Sequence, residues 1–378
     1  MKRNYAYVDP QSMLNLANYD HHLLTNIEAD DIHYVCSKFY DYRPLPPNVH
    51  QHRLFRYNHL GSKTAKAVSY MFSYLTLLFC LLRWQPQVVH IQWLRIPAFD
   101  LFFYKLIKRL LHTRIVFTAH NILPHDSGDR YKWTMEKFYR LTDKVIVHTN
   151  TTRNDLLAMF HLPADKVTVI PHGILDLNCD EQKLHEAEEQ LDRHYQLEGK
   201  MVFASLGHQY YYKGVDVIAK VWAETPELRD NPHCRLLFVG RNRGVDLSVA
   251  EGIANVTIED RLLSDEEFYY LLRHTDVHLL TYRNISQSGL LLTAISTQTP
   301  ILVTDIGGLT EPLSIAPIGW VLPQLDEEHV RQQLLWFLHH PEEIEKVKND
   351  KASWQRVHQN YDWKNIGRET QDVYEAVV

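Results

Sequence analysis

The chain has 378 residues, room for about two domains, and its 45% apolar and 11% aromatic content supplies a core for each. A formal net charge of −6 excludes a polycationic, nucleic-acid-coating protein. Four scattered cysteines (Cys36, Cys80, Cys179, Cys234) lack the spacing of a zinc site or disulfide framework and fit a reducing, cytoplasmic setting.

From the start, Met1 to Asp9 reads as a short strand and turn rather than a signal sequence. The stretch AVSYMFSYLTLLFCLL, Ala67 to Leu82, carries no charge but falls short of the about 20 apolar residues of a bilayer span. It predicts a helix buried against a sheet. Strand signals follow at VVHIQW (Val88 to Trp93), RIVFTAH (Arg114 to His120), KVIVHTN (Lys144 to Asn150) and KVTVIPHGI (Lys166 to Ile174). Helical patterns separate them at Ala98 to Leu111 and Tyr131 to Leu141. In FFYKLIKRLLHTR, Lys105, Lys108 and Arg109 stand against a Phe/Leu/Ile face. That pattern suits a solvated helix face or a peripheral contact with a membrane surface.

A polar run over residues 176–198 reads as a linker with a surface helix. The pattern then restarts with strands at Met201 to Gly207, Arg235 to Gly240, Val256 to Asp260, Val277 to Tyr282, Pro300 to Asp305 and Gly319 to Pro323. Helices are expected at Asp265 to Arg273 and Gly289 to Thr297. Such alternation predicts an α/β protein of two doubly wound, Rossmann-like parallel-sheet domains, 1–175 and 199–360. The default ligand site is the cleft between them.

Polar clusters follow several strand signals, where open α/β sheets place their ligands. His120 and Asn121 follow RIVFT; alone, His120 also suits a loop histidine held by a backbone carbonyl. LGHQYYYKGVDVI sets Gly207, His208, Lys213 and Gly214 between a strand and a helix. Exposed N–H groups, a helix dipole and one cation at such a turn suit a phosphate. YRNISQSGLLLTAISTQTP offers a second turn, Ser286, Gln287, Ser288 and Gly289, which serves equally as a serine-capped helix start or an anion site. TDIGGLTE closes the pattern with paired glycines before Glu311.

The order TAHN, VIPHGI, GHQYYYKG, LLFVG, SGLLLTAISTQTPILVTDIGGLTE and YDW resembles the GT-B-fold, retaining nucleotide-sugar glycosyltransferases of the family 4, group 1 type. HIQW and HNILPH resemble the branch that assembles bacterial surface polysaccharide. The resemblance covers nearly the whole chain, and its final segment, 361–378, implies a helix that returns to the first domain. It implies that His120 lies beside the reacting sugar, with Asn121 and His172 on the acceptor side. It likewise implies that Lys213 contacts the donor diphosphate and that Ser286 to Gly289, Thr293 and Glu311 belong to the donor site.

Three departures stand out. His208 replaces an arginine, Ile285 and Thr293 replace two glutamates, and YVDPQSMLNL replaces a glycine-rich first loop. The expected reaction moves a hexose from a UDP- or GDP-sugar to a sugar hydroxyl of a glycan or lipid-linked glycan. With no DxD-like carboxylate pair, no metal or other cofactor is expected, and charge stabilisation falls to Lys213, His208 and helix N-termini. A sugar-nucleotide epimerase and a non-catalytic nucleotide-sugar sensor are the rival readings. Nucleoside diphosphate release that depends on added acceptor separates the three.

Overall fold

In a computed structural model, the chain divides into two units, Met1–Gly173 with Tyr361–Val378, and Ile174–Asn360. The structure describes residues 3–13, 15–124, 128–175, 179–285 and 287–378.

The first unit holds seven parallel strands: β1 (Asn4–Val8), β2 (Asp31–Ser37), β3 (Val49–Phe55), β4 (Val88–Ile91), β5 (Arg114–Thr118), β6 (Lys144–Val147) and β7 (Val167–Val169). Their order is β3-β2-β1-β4-β5-β6-β7, so the direction of winding reverses between β1 and β4. Alternate residues point to opposite faces. Ala6, Val8, Val89, Ile91 and Phe117 meet Tyr74, Leu77, Phe103, Ile107 and Phe138 from three helices on one face. On the other face, Tyr5 and His90 meet Tyr374 of the C-terminal helix Trp363–Val377. That helix packs closely on Asn15–Asn26: a Cβ on Gly367 would lie 2.2 Å from the Asn26 carbonyl oxygen.

The uncharged stretch forms the helix Lys63–Trp84, with Ser62 as N-cap accepting from the Ala65 N–H. It is not the wholly buried helix that its composition predicts. Tyr70, Ser73, Tyr74, Leu77 and Leu81 are buried, whereas Met71, Phe72, Leu75 and Phe79 face outward. A helix on one face of a sheet has only one side to bury, and this one is apolar on both.

The second unit holds six parallel strands: β8 (Met201–Leu206), β9 (Cys234–Val239), β10 (Val256–Glu259), β11 (Val277–Leu280), β12 (Ile301–Thr304) and β13 (Gly319–Leu322). Their order, β10-β9-β8-β11-β12-β13, reverses between β8 and β11. Phe203, Trp222, Leu236, Val277, Leu302 and Phe337 form the core on one face. The opposite core takes in Leu184 and Tyr195 of the helix Glu181–Tyr195. Much of the segment read as a linker is therefore a packed part of this unit. Tyr195 fixes it by donating its hydroxyl to Glu267 at 2.7 Å.

Candidate active site

In the second unit the loops after β8 and β11 flank the winding reversal, where a doubly wound sheet opens a crevice. The turn Tyr211–Lys213 ends at Gly214, whose φ of 70° starts the helix Val215–Glu224. A side chain there would meet the Thr281 carbonyl oxygen at 2.3 Å. Arg283 holds this turn from the β11 side. It makes a two-pronged pair with Asp216, both contacts 2.7 Å, donates to the Tyr211 carbonyl and lies 4.0 Å from the Tyr211 ring centre. Such fork geometry fixes orientation as well as supplying energy.

The clamp aims Lys213 inward. Its side chain is 4% exposed, and its Nζ donates to the Leu206 carbonyl at 3.0 Å. Burial lowers its pKa from 10.5 to about 7. A buried amine with only a carbonyl partner is a poor structural element and a good seat for an anion. Gly207, with φ 74°, leaves the space beside that amine open: its absent Cβ would lie 4.0 Å from Nζ.

His208 follows, half-buried, with Nδ1 buried and without a hydrogen-bond partner. Desolvation, Arg243 and Lys213 together lower its pKa from 6.5. His278 on β11 is fully buried, and both its ring nitrogens lack partners. Its spacing from His274 matches a helical metal pair, but His274 bonds the Tyr270 carbonyl at a helix end while His278 lies in a strand.

Ser286 lies outside the described residues. Ser288 caps the helix Gly289–Ser296 by accepting from the Leu291 N–H and also bonds the Tyr282 hydroxyl at 3.1 Å. Gln287 is half-buried before it. Gly289 approaches Leu175 so closely that a Cβ would lie 3.2 Å away. Thr293, expected at the donor site, is 4% exposed and donates its hydroxyl to the Gly289 carbonyl at 2.9 Å. Its proton is committed within the helix. Glu311 opens the short helix Glu311–Ile315, half-buried.

In the first unit, His120 stands at the tip of β5, its ring stacked on Trp93 at 4.9 Å and 4°. Both its nitrogens are engaged: Nε2 lies 2.9 Å from Gln92 Oε1, and Nδ1 lies 3.2 Å from His148 Nε2. His148 Nδ1 faces the Ile170 carbonyl at 2.9 Å and must donate to it. Burial holds His148 neutral, its pKa lowered to about 3, so its Nε2 accepts from His120 Nδ1–H. Neutral His120 then presents a lone pair at Nε2 towards the Gln92 oxygen, and only exchanging the amide oxygen with the nitrogen, which faces His90 at 3.0 Å, lets Gln92 donate to it; protonated His120 donates to the oxygen as it stands.

A sugar reaching Nε2 would displace Gln92, a condition that the sequence did not reveal. Trp93 Nε1 is a buried donor without a partner beside this ring. His172 donates Nδ1–H to the Gly173 carbonyl at 2.8 Å and meets Tyr19 at 4.8 Å, and burial lowers its pKa to about 4. Asn121 is half-buried, its carbonyl 3.5 Å from the Tyr139 hydroxyl.

The structure thus adds Gln92, Trp93 and His148 in the first unit, and Arg243, His278 and Arg283 in the second. Gln92 and Trp93 were within reach of sequence reasoning as the polar end of HIQW after a strand. The others acquire a role only through neighbours distant in sequence.

Comparison with known proteins bears on both halves. Residues 17–175 match the family model described as Glycosyltransferase Family 4, and residues 200–340 match Glycosyl transferases group 1. An uncharacterized glycosyltransferase of Methanocaldococcus jannaschii is 24% identical over 62% of this chain and 60% of its own length. Among solved structures, sucrose-phosphate synthase from Thermosynechococcus elongatus superposes with a TM-score of 0.71 at 14% identity, covering 100% of this chain and 99% of the other. Anabaena HepE in complex with UDP gives 0.69 at 11% identity, covering all of both chains. WaaG, a glycosyltransferase involved in lipopolysaccharide biosynthesis, gives 0.62 at 15%, covering 98% of this chain and 99% of the other. These likenesses establish the GT-B-type fold, and with both domain models matched in order, the chain belongs to the glycosyltransferases.

Proposed function

We propose that this protein transfers a hexose from a UDP- or GDP-sugar to a hydroxyl of a glycan or lipid-linked glycan, with retention at the anomeric carbon, in the assembly of surface polysaccharide. One observation carries the reading: Lys213, buried, clamped and, among the described residues, without a carboxylate partner, at the reversal point of a doubly wound sheet. As the C1–O bond to the diphosphate breaks, charge gathers on the leaving phosphate. Lys213, His208 and the N–H groups at the Gly289 helix start would meet it. The acceptor oxygen forms the new bond to C1, and its proton passes to the departing phosphate. We assign no metal to this step. His120 serves the transferred sugar from the first unit. The UDP and UDP-glucose complexes of Anabaena HepE, a protein of the same fold, support a nucleotide-sugar donor.

Screening UDP- and GDP-sugars for a rise in melting temperature identifies the donor, because a ligand of the folded state raises its stability. Release of nucleoside diphosphate from that donor should then require a glycan acceptor. Release without acceptor, or stabilisation without release under any acceptor, refutes the reading.

A further inference from the structure

The outward face of the helix Lys63–Trp84 takes no part in the reaction proposed above, yet it gathers most of the exposed large apolar residues described in the first unit. Val68, Met71, Phe72, Leu75, Phe79 and Leu82 are each at least 40% exposed. At 3.6 residues per turn they fall within one arc of about 100°, roughly 20 Å long. Isolated exposed apolar residues are ordinary; a continuous stripe marks a contact surface. The neighbouring helix Pro97–Leu111 packs beside it, with Phe103 4.6 Å from Tyr74, and adds Phe102, 66% exposed.

By length and composition the first of these helices could cross a membrane. Its inner face rules that out for the folded unit. The Tyr70 hydroxyl donates to buried Asp100 at 2.9 Å, and Ser73 donates to the Leu54 carbonyl of β3. The helix therefore lies along the surface with one side fixed to the protein and the other bare. Charge narrows the occupant. Asp100 is the only acid in the two helices, and it is buried, bonded to the Arg95 and Ile96 N–H groups. Arg83, Lys105 and Arg109 are exposed, whereas Lys108 is tied to Asp143 at 2.8 Å. A face that is apolar and basic, in a chain of net charge −6, complements an anionic bilayer. A symmetric pairing of two copies would instead bring these cations against themselves.

We propose that this face docks on an anionic lipid bilayer, with the stripe at the boundary of headgroups and acyl chains and Lys105 and Arg109 at the phosphates. The proposal is independent of the reaction assigned above, since it concerns the first unit alone.

Flotation of the full chain with phosphatidylcholine vesicles, with and without phosphatidylglycerol, tests it. The protein should float with the anionic vesicles, and salt should weaken that binding. Phe72→Ser with Phe79→Ser should reduce binding at least about tenfold while leaving the melting temperature unchanged, since both rings are exposed. Lys105→Glu with Arg109→Glu should abolish the preference for anionic lipid. Absence of wild-type flotation, or undiminished flotation of the Phe variant, overturns the proposal. So does a vesicle-free dimer that the Phe variant dissociates, which would assign the face to a second copy.

Discussion

Lys213→Met replaces a buried amine by an apolar side chain of similar length, and the structure predicts opposite effects on folding and binding. In the unfolded chain this lysine stays charged up to about pH 10.5, whereas folding lowers its pKa to about 7. The folded state therefore holds its proton less tightly, and stability is lost as pH falls from 10.5 to 7. At pH 7 the shift, at about 1.36 kcal/mol per unit, costs about 4 kcal/mol. Methionine removes that cost but also removes the bond to Leu206, worth about 1 kcal/mol. Urea unfolding at pH 7 should show a gain of about 3 kcal/mol.

Binding should behave inversely. A diphosphate restores the ammonium, so UDP binding at pH 8 should take up about 0.9 proton through this group. Its affinity should fall about tenfold per pH unit above 7. Calorimetry in two buffers of different ionisation heat measures the uptake, and Lys213→Met should lose both it and most of the affinity. A Met variant less stable than wild type, or wild-type binding without proton uptake, would refute the argument.

His120→Ala should leave UDP affinity nearly unchanged and lower turnover at least about tenfold, or 1.4 kcal/mol of barrier; normal turnover with the saturating donor would return His120 to a structural role. His208, whose pKa desolvation, Arg243 and Lys213 lower in the free protein, should gain a proton more readily beside a diphosphate. His208→Arg should therefore flatten the affinity profile between about pH 5.5 and 8.5, and parallel profiles would place His208 away from the phosphates. Acid should weaken the first unit, because folding lowers His90 and His148 to about 3 and His172 to about 4. The unfolded chain binds those protons first, and stability falls as pH drops below about 6.5. Asp20, raised to about 6, and Asp100, raised to about 7, act in the opposite sense. His21, lowered to about 4, and His120 add to that proton uptake, while Asp9 adds to the release; near pH 5.5 a net uptake of protons on unfolding remains, and a stability that rises on acidification there would contradict the packing around these rings.

Eleven strands were legible in the sequence, because buried parallel strands are short β-branched runs that end in polar turns, a signal held within a few residues. β2 and β3 were not: DIHYVCS and VHQHRLF mix histidine, glutamine and arginine into the strand, and pairing with β1 decides them. The strand-tip groups His120, His208 and Lys213 were visible for the same local reason. What the sequence could not decide was the state of those groups. That Lys213 meets only a carbonyl depends on the turn that Arg283, 70 residues on, holds through Asp216 and Tyr211, which leaves Nζ buried against Leu206. Whether His120 has a nitrogen to offer depends on Gln92 and His148, each 28 residues away. The apolar stretch from Ala67 to Leu82 shows the same limit in reverse. Composition made it apolar on every side, and only packing against a single sheet face decided which half is buried and which is left bare.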